Sequence, residues 1–412
     1  MVSPESNRVR SSGSWHLCCS HLHYPWQDKN TDERNRRRHH LREYIEMGML
    51  EHWHPVARSA DLRGQPLEVQ LAGIPIVLFR TRSGQVGALS NICPHRRFKL
   101  SAGEVVGERL RCRYHGWTFS PDGQGESPAT PKLHACISSY ETREIHGLVW
   151  IKPRDSQAAF PAIEAEGFYY IGTFVHDAPA PLELTVDNFN EIEHSGTVHR
   201  TFGYDLERLH EVVVEYQAND DTVWVRNRGP SKRIFWLYAL WLGLRRGDLF
   251  HDHWTTRFSP VHSVFDHWWT DATGRCERMV RWRVYVFYVP WDQQRTRVFS
   301  IGFARSRYPG PTGGLRLIRW LFRRELDREI RNDVAILHNL ASYETGIAGL
   351  KLGRFDKVLG LTRERIERIY RRNGKPLSGS WQGDDMSEGG HPPAVSTLPA
   401  RNGSHLPPET TG

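Results

Sequence analysis

Residues 93–103, Cys93-Pro94-His95-Arg96-Arg97-Phe98-Lys99-Leu100-Ser101-Ala102-Gly103, and residues 112–117, Cys112-Arg113-Tyr114-His115-Gly116-Trp117, carry two Cys–His pairs. Cys93 goes with His95, and Cys112 with His115. Two thiolates and two imidazoles can hold a tetrahedral metal or an iron–sulfur cluster. Structural zinc is a common use of such a set. Zinc fingers, however, keep both cysteines in one arm and both histidines in the other. Here each arm mixes the two types, and sixteen residues separate His95 from Cys112.

Cys-x-His followed at this distance by Cys-x-x-His is the pattern of a Rieske [2Fe–2S] centre, where one iron takes both cysteines and the other both histidines. Around it lie short apolar stretches at 67–71, 74–80, 86–89 and 145–152, punctuated by Gly64, Pro66, Gly73 and Gly84. They predict short antiparallel strands. Asp122-Gly123 predicts a hairpin turn. Residues 47–155 therefore read as one mostly β domain.

The chain has 412 residues, more than one core comfortably serves. The expected division is a poorly ordered lead at 1–46, the β domain at 47–155, a second domain at 156–372 and a disordered, catalytically silent tail at 373–412. There are 55 basic and 47 acidic residues, a net charge of +8. No nucleic-acid motif accompanies this charge. It suits an acidic partner protein, or simply a soluble basic surface. No apolar run reaches the roughly 20 residues that span a bilayer, and no secretory signal is evident. Of six cysteines, Cys18, Cys19, Cys136 and Cys276 show no disulfide spacing. A reducing cytoplasm is the expected location.

In the second domain, strand patterns at 211–216, 222–226, 262–269, 279–289 and 297–304 stand between a helical pattern at 186–199 and another at 315–343. This is an α+β arrangement with an antiparallel sheet. Residues 233–244 (RIFWLYALWLGL) are the most apolar stretch and predict a buried core or lid helix. A cover over a substrate channel and a membrane-surface contact are the alternatives.

The second concentration of chemistry is residues 187–199, DNFNEIEHSGTVH. His194 and His199, with one carboxylate, could form the two-His-one-carboxylate facial triad of non-haem Fe(II) enzymes. Asn188, Glu191 and His194 step by three and share a helical face. His194 and His199 stand roughly 140° apart on a regular helix. An unbroken helix cannot grip one ion with both, so residues 195–197 must bend or end it at Gly196. With 22 histidines in the chain, such a pair alone is weak evidence. The third ligand must come from distant sequence. Asp333 is favoured, because it sits where a charged helix turns apolar and a carboxylate there needs a partner. Asp327 and Glu329 read as solvated surface pairs.

These stretches resemble the catalytic α subunit of the Rieske non-haem iron oxygenases. The resemblance is carried by Trp53-His54-Pro55-Val56-Ala57, the two cluster arms, Gly147-Leu148-Val149-Trp150, residues 188–199 and Asn332-Asp333. It covers roughly residues 47–372. It implies a Rieske β-sandwich domain joined to a helix-grip (START-like) catalytic domain. It further implies a [2Fe–2S] cluster on Cys93, His95, Cys112 and His115, and a mononuclear Fe(II) on His194, His199 and Asp333. The family's trimers pass electrons from the cluster of one protomer to the iron of the next through a bridging carboxylate. That position usually carries Asp and here carries Glu191. Asn188 would position the bridge or a water. No nicotinamide-binding Gly fingerprint is present, so NAD(P)H would act through a separate flavin reductase or ferredoxin. The basic stretch 96–99 is a possible docking patch for such a donor, or a plain surface loop.

The implied reaction is oxidation of a C–H or C=C bond of a small hydrophobic substrate with O₂. Demethylation, desaturation and oxidative cyclisation use the same machinery. Trp236, Tyr238 and Trp268 are the candidate pocket residues. A Rieske electron carrier without oxygenase activity and a zinc-stabilised binding module are the competing readings. A second domain with its own ligands disfavours the first of these.

Overall fold

The computed structural model describes residues 48–133, 135–307 and 315–371. The expected lead at 1–46 and tail at 373–412 lie outside the described residues, as do Cys18 and Cys19.

Gly- and Pro-punctuated runs form three small antiparallel sheets. β1 (His54–Arg58), β11 (Leu148–Pro153) and β10 (Tyr140–Ile145) make the first, in that order. β2 (Leu67–Leu71), β3 (Ile74–Arg80) and β4 (Val86–Ser90) make the second. The third contains β5 (Glu104–Val106), β6 (Arg109–Arg111), β7 (Thr118–Phe119), β8 (Gln124–Glu126) and β9 (Ala135–Cys136). The Asp122-Gly123 turn joins β7 to β8 as expected, with Gly123 at φ 89°.

The larger sheet has seven strands. β12 (Tyr169–Ala178) lies at one edge, followed by β18 (Thr296–Ser306), β17 (Glu277–Pro290), β16 (Val261–Thr270), β15 (Leu249–Phe258), β14 (Thr222–Pro230) and β13 (Val213–Ala218). Every neighbouring pair is antiparallel. Among the described residues, four α-helices accompany it: α1 (Leu182–Phe189), α2 (Trp236–Leu242), α3 (Leu315–Leu337) and α4 (Lys357–Arg365). α3 packs on β12 and β18, and α1 packs against α3 and β17. The architecture is the α+β one expected, with the long helix held against an antiparallel sheet.

Side chains alternate across a strand, so a strand buried on both faces reads as a continuous apolar run. Residues 284–289 (VYVFYV) do this. Val284, Val286 and Tyr288 enter the core shared with α1 and α3. Tyr285, Phe287 and Val289 enter another core with Trp53, Val56, Leu148 and Trp150 from the small sheets. Phe287 meets Trp150 edge to face, with centroids 4.8 Å apart. Each such side chain contributes about 1.5–3 kcal/mol on burial.

Two helical expectations change. The pattern at 186–199 is not one helix, because α1 stops at Phe189. Asn190 turns its amide into the sheet instead, donating to Thr256 Oγ1 at 3.0 Å and accepting from Ser263 Oγ at 2.9 Å. A 3₁₀ turn, Glu193–Gly196, follows. The apolar stretch 233–244 is not buried as a core helix. Leu242 is, but Trp236 is 64% and Leu240 73% exposed. The strands at 169–178 and 249–258 had no counterpart in the pattern reading.

Candidate active site

The two cluster arms fold as matched loops. In one, Cys93 N–H donates to Phe98 O (2.9 Å) and Arg97 N–H to Cys93 O (2.8 Å). In the other, Cys112 N–H donates to Trp117 O (2.7 Å) and Gly116 N–H to Cys112 O (3.0 Å). The fourth residue after each cysteine is left-handed: Arg97 at φ 57° and Gly116 at φ 73°. The thiols are buried, whereas His95 is exposed and His115 half-buried. Their imidazole centroids lie 4.4 Å apart. Burial pushes the Cys93 thiol up to about 11, and the neighbouring Cys112 adds to the rise. Two adjacent sulfurs can both ionise only against a strong cation, so the donor set fits an iron–sulfur cluster.

The second set is brought together from 139 residues of separation. Asp333, on α3, has Oδ1 3.1 Å from both His194 Nε2 and His199 Nε2. The two Nε2 atoms are themselves 3.1 Å apart. Donors at about 2.1 Å from a metal and at right angles lie about 3.0 Å apart, whereas tetrahedral donors lie about 3.4 Å apart. Three donors with edges of 3.1 Å are thus mutually cis, as in a facial triad.

Other carboxylates orient the rings. His194 Nδ1 donates to Glu191 Oε1, and His199 Nδ1 donates to Glu329 Oε2 at 2.9 Å. Both tautomers then leave the Nε2 lone pairs facing the common point. Glu191 also accepts from the backbone N–H of His194 at 3.3 Å and of Glu193, which starts the 3₁₀ turn. Asn188 Nδ2 donates to Asp333 O at 3.1 Å and ties α1 to α3. Lys232 Nζ donates to the carbonyls of Ser195, Gly196 and His199 at 2.9, 3.2 and 2.5 Å, holding the histidine loop.

Burial alone would pull the imidazoles down. Hydrogen bonds to Asp333 and Glu191 outweigh it and push His194 up to about 10. Asp333 and Glu329 likewise push His199 up to about 9. Burial would raise Asp333, but the charge and hydrogen bonds of the two histidines hold it down to about 2. The site favours positive charge at its centre, which a divalent cation supplies in place of protons.

Glu329 corrects the expectation of a solvated surface pair. It is 2% exposed and accepts from the Arg200 and Thr201 amides as well as from His199. The signal was present in the spacing. Glu325, Glu329 and Asp333 step by four beside Phe322, Leu326 and Ile330, so the carboxylates run along the buried stripe of α3. Asp327 does pair at the surface, with Arg331.

The triad opens on a cavity of about 580 Å³, mouth included. Phe189, Phe202, Phe250, Phe265, Val284 and Ile330 form its apolar walls. The expected pocket residues do not line it. Trp236 faces solvent on α2. Trp268 stacks on His251, under Arg281. Tyr238 is not among the lining residues. Among the described residues, no helix is long and apolar enough to cross a membrane.

Residues 52–141 match the Rieske [2Fe-2S] domain family. The chain is 34% identical over 152 residues to chlorophyllide a oxygenase of Arabidopsis thaliana, covering 36% of this chain and 28% of that one. It is 28% identical over 225 residues to the vanillate O-demethylase oxygenase subunit of Pseudomonas sp. (strain HR199 / DSM 7063), covering 52% of this chain and 63% of that one. The chain thus spans less than two thirds of the length of these curated relatives. The crystal structure of dicamba monooxygenase bound to dicamba superposes with a TM-score of 0.63 at 20% identity, over 79% of this chain and 98% of that one. Residues 52–141 thus belong to the Rieske [2Fe-2S] domain family, and the chain as a whole is similar to oxygenases in sequence and shares the fold of dicamba monooxygenase.

Proposed function

We propose that the chain is the terminal oxygenase of a Rieske system, oxidising a small hydrophobic substrate with O₂. The observation that carries this reading is the triangle of His194 Nε2, His199 Nε2 and Asp333 Oδ1, with 3.1 Å edges and a cavity on its open side. In this reading, Cys93, His95, Cys112 and His115 hold a [2Fe–2S] cluster, while His194, His199 and Asp333 hold a mononuclear iron. When bound, the two groups supply stored electrons and O₂ activation.

The chain's own residues prepare that chemistry. Glu191 and Glu329 fix the ring tautomers, and Lys232 and Asn188 hold the loop and helix that bear the ligands. Aromatic walls exclude water from the reacting position. The Glu191 side chain keeps 19% exposure, so its spare lone pairs can accept a further N–H from a neighbouring protomer. That suits a bridge between centres in a homotrimer. Electrons would come from NAD(P)H through a separate reductase or ferredoxin. The functional boundary would fall near residue 155, and the cytoplasm, where thiolates persist, is the assigned location. Oxidative demethylation is the second reading, because one relative is named as an O-demethylase.

The test is His194→Ala, assayed for O₂-dependent product from a panel of hydrophobic substrates with surrogate redox partners. Turnover should disappear while the electron-spin-resonance signal of the Rieske centre persists. Retained turnover overturns the oxygenase reading of the His194 site, and a wild type that reduces its cluster but forms no product leaves an electron carrier.

A further inference from the structure

One polar pair interrupts the apolar wall of the cavity. Asp252 on β15 and His267 on β16 are direct cross-strand partners. They lie on the sheet face that also presents Phe250 and Phe265, two residues away along each strand. Asp252 Oδ1 is 3.0 Å from His267 Nε2. The other ring nitrogen, His267 Nδ1, is buried with no hydrogen-bond partner. Around the ring stand Phe202, with its centroid at 4.9 Å, and Phe250 and Phe265, each at 5.8 Å.

A buried nitrogen left without a partner forfeits the hydrogen bond it made to water in the unfolded chain. The pair is not needed to set strand register, which the backbone ladder of β15 and β16 already sets. An aliphatic pair would fill the same space without that cost. The charge balance of the cavity is also one-sided. Glu191, Asp252, Glu329 and Asp333 line it, and among the described residues no lysine or arginine does. Even with a divalent cation on the triad, an anionic ligand would meet excess negative charge in a medium that screens it weakly.

We propose that Asp252 and His267 form the polar anchor of the substrate cavity. The substrate is then an uncharged, mainly apolar molecule with one O–H or N–H that donates to His267 Nδ1. Asp252 accepts a hydrogen bond from His267 Nε2–H and so keeps the Nδ1 lone pair available. His267 selects and orients the ligand, and Asp252 is a positioning residue. This rests on the reading of the cavity as the substrate site, but not on turnover.

The test is isothermal titration of the full chain, with its cluster and iron, against four probes of one shape: naphthalene, 2-naphthol, 2-methoxynaphthalene and 2-naphthoate. 2-Naphthol should bind about tenfold more tightly than naphthalene or the methyl ether, and the naphthoate most weakly. His267→Phe should bring naphthol and naphthalene within about twofold of each other. The wild-type series carries the test by itself if that variant does not fold. Naphthoate binding as tightly as naphthol, no preference for naphthol, or a preference that survives in His267→Phe each overturns the proposal. The assay needs no reductant. A naphthol preference in a protein that never turns over would keep the anchor and discard the oxygenase reading.

Discussion

Glu329 shows how a single carboxylate can matter without joining the triad. Its Oε2 accepts a hydrogen bond from His199 Nδ1, while the Arg200 and Thr201 amides hold it in place. Burial raises its carboxyl, but the His199 hydrogen bond wins and keeps it below its ordinary range. Glu329→Gln keeps the shape and removes the charge that stiffens and polarises the ring. Metal affinity should fall about 10–100-fold, read by chelator competition. An unchanged affinity would sink this account of Glu329. At this scale the sequence was legible where chemistry and spacing coincide, as in the two Cys–His arms. Glu329 was not legible, because an acid among arginines looks solvated until the element packed against it is known. Trp236 misled in the opposite sense, as an aromatic residue in an apolar run that faces solvent.

At the scale of elements, the segment from Asn190 to Gly203 decides the site. The helical pattern breaks because Asn190 is hydrogen-bonded into β15 and β16, not because of Gly196 alone. The loop then doubles back so that Gly203, at φ 127°, lies against the Ser195 carbonyl. A Cβ there would sit 2.5 Å from that oxygen, closer than any real contact. Gly203→Ala should therefore destabilise the protein by more than about 1 kcal/mol and lower its iron content. A urea titration alongside an iron assay checks both, and a variant with wild-type values for each refutes the close-approach argument. The end of α1 was unreadable in sequence, since the competing partners of Asn190 lie 66 and 73 residues away.

At the scale of the molecule, the large sheet is buried on two faces, and histidines are buried both on it, at His262, and on the small sheet that contains β1, at His54. His54 is 0% and His262 1% exposed. Burial holds His54 down to about 3 and His262 down to about 4, from an ordinary 6.5. The unfolded chain takes up these protons near pH 6.5 and the folded one does not. Their contribution to stability is therefore full above about pH 7 and falls as pH drops from 6.5 toward 4. Between pH 7.5 and pH 5.5 the urea midpoint should fall further, or rise less, in the wild type than in His262→Phe, and an equal change in both would contradict it. By itself, the sequence determined the two Cys–His arms, most strands and the α+β class, because these depend on neighbours within a few residues. Only the tertiary structure decided three things: the convergence of His194 and His199 with Asp333, the burial of Glu329, and the choice of Asp252 and His267 as the cavity's polar pair. Each depends on which distant element packs against a residue, and local periodicity sets only the face a residue occupies, not what covers that face.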